Sequence, residues 1–89
     1  MVNRAFLISG CVQGVFFRDS TKKEALKLGL QGSAVNLSDG TVKVCLRGES
    51  EDIDLLERWL HKGPELARVE SVIEVDIDQQ LELNGFKVG

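Results

Sequence analysis

This chain has few of the residues on which catalytic and metal chemistry most often rest. It has one histidine, His61, two cysteines, Cys11 and Cys45, and no Cys-x-x-Cys pair. Two cysteines do not make a disulfide scaffold, and no ligand set for a Cys/His metal site is in view. There are four phenylalanines and no tyrosine, and the formal charge is −3. An RNA-binding four-stranded sheet needs exposed aromatics and a basic face, so nucleic acid is not an expected partner. No apolar run approaches the ~18 residues of a membrane span. Met1-Val2-Asn3-Arg4 leads straight into a strand pattern without the layout of a signal peptide, which predicts a cytoplasmic protein. Any anion site must be a local exception to the acidic average.

What is present fits one small unit. Eighty-nine residues, 43% of them hydrophobic, predict a single domain over 1–89 with a modest core. The apolar run Ala5-Phe6-Leu7-Ile8 predicts a first strand over 3–9, placed centrally. A helix is expected over 19–28, with Phe17, Thr21, Ala25 and Leu28 on one face and Lys22, Lys23 and Lys27 outward. Thr21 with Glu24 fits a capping box, and Gly29 fits the residue just past the helix end.

Strands over 31–37 and 41–47 flank the hairpin signal Ser38-Asp39-Gly40. Ser50 reads as the cap of a second helix with the apolar stripe Ile53, Leu56, Trp59 and Leu60, stopped by Gly63-Pro64. A fourth strand is expected over 69–78, where Ile73, Val75 and Ile77 alternate with Glu74, Asp76 and Asp78. The acidic row reads as a solvated sheet face. Phe86 and Val88 fit a short closing strand. The order is strand, helix, strand, strand, helix, strand. It predicts an α+β, ferredoxin-like βαββαβ sandwich with both helices on one face of an antiparallel sheet.

One stretch carries chemistry. Ser9-Gly10-Cys11-Val12-Gln13-Gly14-Val15-Phe16-Phe17-Arg18 joins the first strand to the first helix. Glycines allow a tight turn and close backbone approach. N–H groups at such a turn and at a helix N-terminus form an anion site, and an arginine fork adds bidentate capacity for phosphate oxygens. The spacing is neither a Walker A loop nor a dinucleotide fingerprint, because the Gly-Lys-Ser/Thr and the third glycine are missing. The stretch reads as a phosphate cradle. Cys11 within it reads as a small filler, with no histidine beside it in sequence to raise a thiolate.

The full string Gly10-x-Val12-Gln13-Gly14-Val15-x-Phe17-Arg18 resembles the signature of the acylphosphatase family. Further matches fall at Ala25, Leu28-Gly29-Leu30-x-Gly32, Asn36, Asp39-Gly40-x-Val42, Gly48, Trp59-Leu60, Gly63-Pro64, Ala67-x-Val69 and Phe86, so the resemblance covers nearly the whole chain. It implies hydrolysis of acyl phosphates, without metal or other cofactor and without a covalent intermediate. Arg18 and the backbone of Gly14, Val15, Phe16, Phe17 and Arg18 would bind the phosphoryl group, Asn36 would orient the water, and Thr41 would be a supporting hydroxyl. It also implies inorganic phosphate or sulfate as site ligands and a monomer, and it puts the start of the first helix nearer Phe17 than Asp19. The chain departs from the family pattern at Ser33, Ala34 and Val35, all on the second strand, leaving both catalytic positions intact. A non-enzymatic anion-binding module using the same cradle is the alternative. A domain of a longer hydrogenase-maturation protein fits less well, since those chains are far longer.

Overall fold

Alternation along the first strand assigns the two faces of the sheet. In the computed structural model, which describes residues 1–14 and 16–89, β1 runs Val2–Cys11. It is followed by α1 (Phe17–Lys27), β2 (Gln31–Asn36), β3 (Val42–Gly48), α2 (Ser50–Lys62), β4 (Arg68–Val75) and β5 (Phe86–Val88). Phe6 and Ile8 of β1 oppose Val44 and Val42 of β3, and all four are fully buried. They join Phe17 and Ala25 of α1 and Ile53, Leu56 and Leu60 of α2 in one core. Each fully buried side chain of this size contributes about 1.5–3 kcal/mol, so this stripe holds the helices on the sheet.

The strand order is β4-β1-β3-β2-β5. β1 is central, as its apolar run predicts, with antiparallel β3 and β4 as neighbours. β5 pairs parallel to β2, so the sheet is mixed and not wholly antiparallel. The reason is the connection after β4, which crosses from one edge of the sheet to the other and enters beside β2 in the same direction.

Asn3, 1% exposed, holds that crossing. Its Nδ2 donates to the carbonyls of Asp78 (2.9 Å) and Leu81 (2.8 Å), and its Oδ1 accepts from Arg47 Nη1 at 3.0 Å. Gln79 closes the knot by accepting from the Asn3 N–H and donating to the Asn3 carbonyl. A buried carboxamide is tolerated only when satisfied in this way.

Three expectations are corrected. Thr21 is buried and donates to the Phe17 carbonyl at 2.8 Å, so it is an interior helical residue and caps nothing; the residue before α1 is Phe16. Ser50 is the first helical residue of α2, and Glu49 takes the cap position with no side-chain bond. β4 ends at Val75, leaving Asp76 and Asp78 beyond the strand.

Glu74 opposes Phe6 and so lies on the helix side. It accepts two hydrogen bonds from Arg4, whose guanidinium also reaches Asp54 and Glu57 of α2 and lies 5.3 Å from the Phe6 ring. Ile73, on the other face, is 57% exposed. The alternation is real, but the acidic residue turns toward an arginine, and the apolar one takes the uncovered face.

Candidate active site

The cradle begins where β1 bends away from β4. The register slips between Ser9 and Gly10, and a side chain at Gly10 would put its Cβ 2.1 Å from the Arg68 carbonyl oxygen. Only glycine permits that approach. Gly14, at φ 74°, and Phe16, at φ 61°, then take left-handed backbone conformations, and α1 starts at once. Val15 lies outside the described residues. The first helical bond runs from the Ser20 N–H to the Phe16 carbonyl at 3.0 Å. The N–H groups of Phe17, Arg18 and Asp19 therefore have no acceptor within the helix, which is the condition for binding an anion at its start.

Two contacts fix the loop. Phe17 is 1% exposed, and its ring centroid lies 6.0 Å from that of Trp59, so the first turn of α1 is pinned to α2. Gln13 sends its Nε2 across to the β2–β3 hairpin, donating to the carbonyls of Leu37 (2.9 Å) and Thr41 (3.0 Å). The loop and the strand end that carries Asn36 are thus joined by one carboxamide.

Arg18 and Asn36 converge on Gly89. Arg18 Nη1 donates to the Gly89 oxygen, and the Asn36 N–H donates to the same atom at 2.9 Å. Gly89 is held in turn by its own N–H on the Ala34 carbonyl at 3.0 Å. Asn36 Oδ1 is buried and accepts no hydrogen bond from the described residues. An acceptor in that state costs free energy unless it serves a ligand or a water.

Thr41 is turned to its own hairpin. Its hydroxyl (2.6 Å) and N–H (3.0 Å) both donate to Asp39 Oδ1, which holds the Asp39 carboxyl below its ordinary range. Its side chain braces the hairpin, while its carbonyl receives Gln13.

An open pocket of about 240 Å³ lies over the cradle. Gly14, Phe16, Phe17, Arg18 and Asp19 line it from the loop and helix, and Val88 of β5 from across. Asn36 does not line it and is connected to Arg18 through Gly89. Among the described residues, no group of three or more His, Cys, Asp and Glu side chains is placed to hold a metal ion, and no helix is long and apolar enough to cross a membrane. Cys11 is exposed, Cys45 is buried, and both are free thiols.

The acylphosphatase family model matches residues 4–88. The chain belongs to the acylphosphatase family. An acylphosphatase of Alkalilimnicola ehrlichii is 48% identical over 86 residues, which is 97% of this chain and 96% of that one. The acylphosphatase structure from Coxiella burnetii has 39% identity and a TM-score of 0.90, covering 99% of this chain and 92% of that one. HypF of T. kodakarensis contains a similar unit, at 29% identity and a TM-score of 0.86, but this chain spans only 12% of it.

Of the expected site residues, Arg18 lines the pocket, while Asn36, the last residue of β2, and Thr41, just before β3, do not. The sequence assigns Val88 only to the closing strand and gives Gln13 and Gly89 no role at the site. Only Gln13 carried a signal, as a polar side chain between the two cradle glycines.

Proposed function

We propose that this acylphosphatase-family enzyme hydrolyses the carboxyl–phosphate bond of acyl phosphates by direct in-line attack of water. The observation that carries the reading is the convergence of Arg18 and Asn36 on the Gly89 oxygen, with the buried Asn36 Oδ1 accepting no hydrogen bond from the described residues.

The carboxylate is a good enough leaving group to depart unprotonated, so no general acid is needed. The remaining requirements are positioning and charge stabilisation. The N–H groups of Phe17, Arg18 and Asp19 and the guanidinium of Arg18 hold the phosphoryl oxygens. One Arg18 nitrogen is anchored on Gly89, which sets the direction of the remaining fork.

Asn36 orients the water, its Oδ1 accepting a hydrogen bond from the water and its Nδ2 donating one. The water oxygen bonds to phosphorus as the bridging P–O bond breaks. The electron pair leaves with the carboxylate, and the water's proton ends on phosphate. No covalent enzyme intermediate and no metal enters this scheme.

Release of phosphate from acetyl phosphate, with an ordinary phosphate monoester as control, tests it. Hydrolysis of the acyl phosphate alone is expected. Binding of acetyl phosphate without turnover would replace the enzyme by an anion-binding module.

A further inference from the structure

We propose that Phe16 and Val88 form a platform for the acyl group that selects flat, apolar, uncharged acyl chains such as aromatic ones; this rests on the acyl phosphate reading above. Phe16 is the only described residue other than glycine at positive φ, 61°. A bulky side chain there is strained, and glycine or asparagine would fit the same backbone without that cost. The usual compensation for such strain is burial, and here there is little. Phe16 is 71% exposed. Strain retained at the mouth of a site points to a ligand contact.

The surroundings name the ligand's chemistry. Phe16 and Val88, the latter 37% exposed, line the same pocket as Gly14 and Arg18. A phosphoryl group held by the amides and Arg18 leaves its acyl part against these two side chains. The pocket of about 240 Å³ exceeds the ~150 Å³ cavity that suffices for benzene, so a ring fits beside the phosphate.

Asp19 also lines the pocket and adds a formal negative charge beside it, which disfavours acyl chains carrying a second negative charge. A small chain such as acetyl reaches less of the platform. An aromatic acyl group can stack on Phe16 in the offset manner that ring pairs prefer.

The test compares kcat/KM for benzoyl phosphate and acetyl phosphate in the parent, Phe16→Asn, Phe16→Leu and Val88→Ser. Asparagine tolerates the left-handed backbone, so any disturbance of the cradle amides falls on both substrates and cancels in their ratio. The benzoyl-to-acetyl ratio is expected to fall roughly three- to tenfold in Phe16→Asn, as loss of an aromatic pair requires. Smaller falls are expected in Phe16→Leu and Val88→Ser.

Calorimetric affinities for benzoylphosphonate and acetylphosphonate give the same ratio without turnover. A parent that hydrolyses neither substrate overturns the hydrolase reading, and the phosphonate ratio then decides the platform alone. A ratio unchanged in Phe16→Asn by both measures overturns the platform while leaving the hydrolase reading intact. So does a marked fall in melting temperature for Phe16→Asn, since it would assign the ring to the fold.

Discussion

Arg18 and Asn36 share a single acceptor: the Gly89 oxygen takes one hydrogen bond from the Arg18 guanidinium and one from the Asn36 N–H at 2.9 Å. The two residues come from a helix start and a strand end, and they are brought into register by a fifth strand that pairs parallel to β2. The phosphate anchor and the water anchor of the proposed reaction therefore sit in one hydrogen-bonded frame.

Replacing Arg18 by Ala or Gln is expected to weaken inorganic phosphate binding and turnover together. Arg18→Lys is also expected to be poor, because an ammonium cannot hold Gly89 and two phosphoryl oxygens as a planar fork does. Phosphate titration beside steady-state kinetics checks this. Normal phosphate affinity in Arg18→Ala would remove the side chain from the site.

Asn36→Ala separates the second role. Phosphate affinity should persist while kcat falls on the order of a few hundredfold, the roughly 3–4 kcal/mol of a lost transition-state contact. Stability should not suffer, because the change deletes a buried acceptor without a described partner, a group whose desolvation costs about 1–3 kcal/mol. A variant that melts well below the parent would assign Asn36 to the fold.

Gln13 is expected to act at one remove. Gln13→Ala loses both bonds to the hairpin, and Gln13→Glu adds a carboxylate facing two carbonyl oxygens. Turnover should drop on the order of tenfold to a hundredfold through misplacement of the water anchor, with competitive inhibition by phosphate largely kept. Equal losses of phosphate affinity and kcat would instead mean that the cradle itself had collapsed.

Hydrolysis is expected to be unaffected by chelators and competitively inhibited by inorganic phosphate or sulfate, since the proposed charge stabilisation comes from amides and Arg18. Activity lost to chelation and restored by one divalent ion would contradict the scheme, as would noncompetitive phosphate inhibition.

The Arg4 cluster gives a pH signature in stability. Hydrogen bonds from Arg4 hold the Glu74 carboxyl below its ordinary value, against a smaller opposing effect of desolvation, and Glu74 and Asp54 hold Arg4 above its own. A depressed carboxyl contributes stability that is present above its unfolded pKa, about 4.3, and is lost as pH falls through the folded value. Glu74 is 46% exposed, so solvent screening limits the gain to about 1 kcal/mol or less. Glu74→Gln should therefore melt lower than the parent at neutral pH, and the difference should vanish in acid below the ordinary carboxyl range. A difference that persists there would mean that packing, not charge, supports the contact.

Local pattern was enough to read much of this protein. The apolar run Ala5–Ile8 and the helical spacing of Phe17, Ala25, Ile53, Leu56 and Leu60 marked core residues, because strand and helix patterns report which residues share a buried face. Two glycines and an arginine before a helix marked the loop that lines the pocket, because backbone freedom and helix-end N–H groups are properties of a short segment. Periodicity does not say which face of an edge strand is covered, so the positions of Ile73 and Glu74 had to come from the fold.

Contacts between residues far apart in sequence likewise had no local sign. Arg18 meets Gly89 across 71 residues, and Asn3 meets Asp78 across 75. Gln13 reaches the hairpin only because β1 and β3 are neighbours. Chain topology decides these pairings. A side chain's hydrogen-bonding capacity is written in the sequence, but its partner is whatever the packed strands bring within three ångströms.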